Sequence, residues 1–171
     1  MDDYENLREI QLFAGFDDDE IGAFVDACVR RSVPADHVFF SMGTLNSSLF
    51  IICAGSVKIE RLGTADDIPL ATLGAGQTFG EMSFMDGSRT TAAVTATKPT
   101  DFLEISRESL DHLLDNKPDL GVKIWRNFAL DLKQRLTKTN ELIDQYIDIN
   151  QVLLQDRSFR EYYSRLWACY R

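Results

Sequence analysis

Glycines at 43, 55, 63, 74, 76, 80 and 87 cut the stretch from His37 to Ile105 into short apolar runs rich in β-forming residues. Runs of this length, each closed by a turn-forming residue, predict a compact antiparallel roll or barrel. Leu70-Ala71-Thr72-Leu73 and Ala92-Ala93-Val94-Thr95-Ala96 are two of the expected strands.

The flanks carry a different period. From about Tyr4 to Arg31 the spacing predicts helix: Leu7, Ile10, Leu12 and Phe13, then a break at Gly15, then Ile21, Phe24, Val25 and Cys28, with Pro34 closing the segment. Asp17-Asp18-Asp19-Glu20 reads as an N-cap with acids in the first turn, which the helix dipole favours, rather than as a cation site. Downstream, Ser106 is placed to cap a helix through Leu110, Leu113 and Leu114, stopped near Asn116 by Pro118. Pro118 suits the first turn of a longer helix. Its apolar stripe runs through Leu120, Ile124, Phe128, Leu132, Leu136, Thr139, Ile143, Tyr146 and Val152 or Leu153. The lower part of that stripe is expected to lie on the roll, while the upper part outruns it and needs another partner. An aromatic tail follows, Phe159, Tyr162, Tyr163, Leu166, Trp167 and Tyr170, whose helical spacing makes a packing surface.

Charge narrows the partners. Lys and Arg number 18 against 27 acids, a net charge of −9, which repels nucleic acid and anionic membrane alike. Cys28, Cys53 and Cys169 are odd in number and far apart, so reduced packing cysteines are expected rather than bridges, which implies a reducing compartment. The acidic N-terminus lacks an apolar run after it, and no stretch is long enough to span a bilayer, so a cytoplasmic location is expected.

The chemically informative segment is Phe79-Gly80-Glu81-Met82-Ser83-Phe84-Met85-Asp86-Gly87-Ser88-Arg89-Thr90-Thr91-Ala92-Ala93-Val94. A glycine before a short helical turn lets backbone approach an anion closely, an adjacent carboxylate accepts from sugar hydroxyls, and a nearby Arg pairs with phosphate. The same residues also fit a tight turn between strands with a solvated Arg.

In order and combination the segment resembles the phosphate-binding cassette of the cyclic-nucleotide-binding domain family. Leu12-Phe13-Ala14-Gly15-Phe16 is similar to that family's N-terminal helical motif, the run from Gly43 through Ser48 to Val57 to its β-roll strands, and Ile105-Ser106-Arg107 to the start of its two C-terminal helices. The resemblance implies an α+β fold: an antiparallel, jelly-roll-like β-roll with N-terminal helices and a long C-terminal helix. Residues 1–117 would form the β-roll domain with flanking helices, 118–155 a dimerisation helix, and 156–171 the aromatic tail. Family transcription factors carry a further basic helix-turn-helix, for which the residues after the long helix leave no room.

The resemblance also assigns roles. Gly80 would offer backbone, Glu81 would accept from the ribose 2′-hydroxyl with Met82 beside it, and Thr91 would give a hydroxyl or N–H to the phosphate. The family places its phosphate-binding Arg nine residues after the Glu and four before the Val. Here that position is Thr90, and Arg89 stands one residue early. Either the loop shifts so that Arg89 reaches inward, or the phosphate has lost its usual cation. Thr139 and Asn140 fall where a family member sets hydroxyls against the adenine; a polar layer in a helix seam is the other reading.

Other chemistries fail on their own terms. Leu73-Gly74-Ala75-Gly76-Gln77-Thr78-Phe79-Gly80 has its last glycine one residue late for a dinucleotide fingerprint, lacks a βαβ context, and has no P-loop lysine. A metal-dependent cupin needs clustered histidines, whereas this chain has only His37 and His112. Nothing marks a nucleophile. The expected function is therefore non-enzymatic: a stand-alone regulatory protein that senses cAMP or a related cyclic nucleotide, dimerises through its long helix and signals through a protein partner. No metal or other cofactor is expected. A ligand-blind interaction module on the same fold is the alternative.

Overall fold

The computed structural model describes residues 7–63 and 67–155, with side chains followed to residue 144 except at 142. Tyr4, Cys169, the aromatic tail and the Tyr146, Val152 and Leu153 side chains lie outside the described residues. The chain divides into two compact units, residues 1–127 and 128–171.

The first unit opens with a 3-10 turn at Gln11–Phe13 and helix α1, Asp18–Asp26. Asp17 caps α1 as expected: its carboxylate accepts from the Glu20 N–H at 2.8 Å, and Glu20 in return accepts from the Asp17 N–H at 2.8 Å. Eight strands follow among the described residues. They are β1 Val29–Val33, β2 Val38–Phe40, β3 Ser48–Ala54, β4 Ser56–Arg61, β5 Ile68–Gly74, β6 Thr78–Phe79, β7 Ala93–Ala96 and β8 Thr100–Ser106. A short helix, α2, Glu81–Asp86, separates β6 from β7; α3, Arg107–Asn116, and α4, Pro118–Gln155, follow the last strand.

One expected helical stretch is corrected. The helix stops at Asp26, and Val29–Val33 forms an edge strand paired antiparallel with β8, Val29 opposite Glu104 and Val33 opposite Thr100. Val25 and Cys28 continue the helical spacing, but Val29, Arg30, Arg31 and Ser32 are all exposed and bury no helical face, so pairing to a strand about seventy residues away decides the conformation.

The strands form two antiparallel four-stranded sheets, ordered β1-β8-β3-β6 and β2-β7-β4-β5, the expected β-roll. Its interior is aromatic and β-branched because alternate residues of each strand face inward. Phe50, Ile52, Val57, Leu73, Phe79, Val94 and Phe102 form the buried cluster. Phe50 and Phe79 stack at 4.8 Å with planes 8° apart, and Phe39 meets Phe50, Phe79 and Phe102 edge-on.

The helices are tied to one another across the sequence. Ser106 caps α3 by accepting from the Ser109 N–H at 3.0 Å. Lys123 donates to both Glu20 carboxylate oxygens, at 2.7 and 2.6 Å. Asn127, 1% exposed, donates through its side-chain amide to the Leu12 and Ala14 carbonyls, each at 2.9 Å. On α4, Leu120 and Ile124 are buried, whereas Leu136 and Ile143 are exposed.

Candidate functional site

The site is built where β6 runs into α2. Gly80 takes φ +85°, a left-handed backbone that side chains disfavour, and a Cβ there would come within 2.8 Å of the Ser48 carbonyl oxygen. Asn46 holds this corner: its amide donates to the Ser48 carbonyl at 2.7 Å, the Gly80 carbonyl at 3.3 Å and the Ser83 hydroxyl at 3.2 Å. The turn therefore starts a helix rather than joining two strands directly. Glu81, 5% exposed, and Ser83, 3% exposed, point inward at its start, while Met82 stays 57% exposed. At the far end, Ser88 donates its backbone N–H to the Asp86 carboxylate at 2.8 Å. The Ser88 side-chain and backbone donors hold that carboxyl below the usual carboxylate range.

Gly80, Glu81, Met82, Thr90 and Thr91 line one cavity of about 60 Å³, with Phe40, Ile59, Phe79 and Val94 as its apolar wall. Arg89 and Thr90 divide between the outside and the inside of the loop. Thr90 faces in: it is 6% exposed, its hydroxyl donates to the Ser41 carbonyl at 2.7 Å and accepts from the Thr44 N–H at 3.1 Å. Its backbone is pinned as well, N–H to the Thr44 carbonyl at 2.8 Å and carbonyl to the Gly43 N–H at 2.7 Å. Arg89 pairs across an isolated bridge with Leu45, and its guanidinium donates to the Gly43 carbonyl at 2.8 Å from an exposed position. Thr91 is exposed, its hydroxyl 4.0 Å from the Met82 sulfur. Thr139 and Asn140 lie on α4 in the second unit, both exposed, and the Thr139 hydroxyl donates to the Arg135 carbonyl at 2.9 Å.

Three residues that shape the site were not singled out from the sequence. Asn46 and Ser83 hold the corner described above. Arg107 donates to the Phe84 and Met85 carbonyls in the last turn of α2, and its guanidinium carbon sits 4.9 Å over the Phe84 ring. Asn46-Ser47-Ser48 carries the signature of a side chain turning onto nearby backbone, the one sequence cue to this corner. A larger cavity, about 660 Å³, is lined by Leu7, Ile10, Val25, Cys28 and Cys53 among others, and contains none of the cassette residues. Among the described residues no group of three or more His, Cys, Asp or Glu is placed to hold a metal ion, and no helix is long and apolar enough to cross a membrane.

Residues 30–117 match the family model for the cyclic nucleotide-binding domain. The chain belongs to that family. The cyclic AMP receptor protein of Thermus thermophilus is 30% identical over 140 residues, covering 81% of this chain and 62% of that protein. Glutaminase 2 of Bradyrhizobium diazoefficiens is 33% identical over 139 residues, covering 81% of this chain and 22% of that protein. The chain thus spans about three-fifths of the one relative and about a fifth of the other. The crystal structure of a cyclic nucleotide-binding domain from Methylobacillus flagellatus superposes with a TM-score of 0.78 at 28% identity, covering 84% of this chain and 83% of that one. As a cyclic nucleotide-binding domain, the chain keeps the β-roll, the cassette helix and the long C-terminal helix.

Proposed function

We propose that this cyclic nucleotide-binding domain is a non-catalytic regulatory protein of the cytoplasm that responds to cAMP or a related cyclic nucleotide. It would pass the signal to a protein partner as a homodimer formed through α4. The observation that carries the reading is the cassette itself: the left-handed Gly80, the inward Glu81 and the rim hydroxyl of Thr91 around one cavity. In this reading Glu81 accepts from the ribose, Gly80 offers backbone, and Thr91 meets the phosphate. Arg89 supplies the cation by leaving the Gly43 carbonyl, an exposed bond of about 1 kcal/mol, for a charge-assisted pair. A cavity of about 60 Å³ lies below the several hundred Å³ typical of ligand pockets, so binding requires α2 to move outward. That movement is the conformational change a sensor needs, since a ligand acts only through its preference between two states.

A second reading, a ligand-blind interaction module, is favoured by Thr90: its hydroxyl is committed to Ser41 and Thr44 where the family places an Arg. Isothermal titration of nucleotide-free protein with cAMP, cGMP and cyclic dinucleotides, repeated on Arg89→Ala, separates the two. Saturable binding that Arg89→Ala abolishes supports the sensor. No heat with any nucleotide, in protein shown to be folded, removes it in favour of the interaction module.

A further inference from the structure

We infer that Arg107 is a latch on the cassette helix, holding α2 in its closed position and coupling that position to α3. The helix is short and bounded at both ends by left-handed glycines, Gly80 at φ +85° and Gly87 at φ +72°. It can therefore turn as a unit about two flexible points. At its start Asn46 binds the Gly80 carbonyl and the Ser83 hydroxyl. At its end the carbonyls of Phe84 and Met85 both accept from one guanidinium nitrogen of Arg107, and these are the groups that carry the negative end of the helix dipole. The Arg107 guanidinium also lies over the Phe84 ring, which is 1% exposed, so it grips the large apolar side chain that α2 buries in the interior.

Arg107 is the first residue of α3, and its own N–H donates to the Ser47 carbonyl at 2.9 Å. The neighbour of Asn46 and the start of α3 are thus joined, and the two clasps on α2 share one frame. An outward swing of α2 enlarges the cavity that residues 81–83 line, and that swing pulls on the last-turn carbonyls that Arg107 holds. Opening costs the Arg107 bonds, and reciprocally a ligand that opens the cavity releases α3.

Hydrogen–deuterium exchange on the full chain without nucleotide tests the latch independently of any ligand. In Arg107→Met, amides 82–88 and those in the first turn of α3 should exchange at least about tenfold faster, with β3, β4 and β8 unchanged, since hydrogen bonds from a charged donor are lost. Arg107→Lys, which keeps the charge without the planar fork, should fall between Met and wild type. Unchanged exchange at 82–88 in Arg107→Met overturns the inference, as does uniform acceleration throughout the roll in both variants. The second arm rests on the cyclic-nucleotide reading. If cAMP binds the wild type, Arg107→Met should bind it several-fold more tightly, because the open state is more populated. Weaker binding with faster exchange would make Arg107 a support of the bound geometry instead of a latch. If cAMP binds neither protein, the sensor reading fails while the exchange result still decides the latch.

Discussion

Thr90→Val removes one hydroxyl and keeps the shape of the side chain. Thr90 is 6% exposed, and its hydroxyl donates to the Ser41 carbonyl at 2.7 Å and accepts from the Thr44 N–H at 3.1 Å, with the Thr44 carbonyl and hydroxyl farther off at 3.2 and 3.3 Å. The losses are unequal. The Ser41 carbonyl keeps the Thr44 hydroxyl as a donor at 2.8 Å. The Thr44 N–H keeps only a long contact to that same carbonyl, at 3.4 Å. The Thr44 N–H, on a residue that is itself exposed, thus loses its better acceptor, which costs about 1 kcal/mol. With an unfolding entropy of about 2 cal/mol/K per residue over roughly 120 ordered residues, the melting temperature should fall by about 4 °C. Differential scanning calorimetry of Thr90→Val beside Thr91→Val, an exposed control expected to shift by about 2 °C at most, measures it. A melting temperature for Thr90→Val within about 1 °C of wild type would refute the claim that this hydroxyl organises residues 41–44.

Thr90→Arg returns a cation to the inward position at the expense of the same bonds. Calorimetry should show it less stable than Thr90→Val without nucleotide and raised in melting temperature by cAMP; an unresponsive variant would mean the cation is not what limits binding. Gly80→Ala forces a side chain into a left-handed backbone and against the Ser48 carbonyl, so urea denaturation should show a loss of about 2–4 kcal/mol. Asp17→Ala breaks the capping box on α1 and should cost about 1 kcal/mol in the same assay. Burial, with the neighbouring Cys53 thiol adding to it, pushes the Cys28 thiol up to about 12. An unfolded chain releases that proton near pH 9.0 while the folded one retains it. Cys28 therefore takes nothing from stability below pH 9.0 and erodes it progressively as pH rises toward about 12. Chemical denaturation across that range should show a slope that Cys28→Ala reduces, and the native thiol should resist alkylation at pH 8.

The architecture was readable wherever local pattern and tertiary context agree. The glycine-cut runs announced an antiparallel roll, and Asp17, Ser106 and Pro118 marked helix starts found within a residue or two. Val29–Val33 misled because its helical spacing continues from α1 while its strand character comes from a distant partner. At the cassette, sequence located the turn and its carboxylate but left open which of two adjacent residues faces inward. A single step along an extended chain reverses the side on which a side chain lies, and hydrogen bonds from residues 41–44, more than forty positions earlier, set that step. Arg107 was legible only as part of a helix start and Asn46 was not singled out; their hold on α2 exists only once β3 and β8 are side by side.

The two bonds from Asn127 to the Leu12 and Ala14 carbonyls have a consequence for how the chain is made. They close loops of 115 and 113 residues, and the loop-closure entropy must be met before they return any stability. During synthesis the N-terminal turn emerges first, yet its carbonyls lack this donor until residue 127 has cleared the ribosome. The roll should therefore assemble ahead of its own beginning, with Leu12 and Phe13 docking as one of the last events in the folding of the first unit. The folding rate of Asn127→Ala should accordingly match wild type, and its destabilisation should appear almost wholly as faster unfolding.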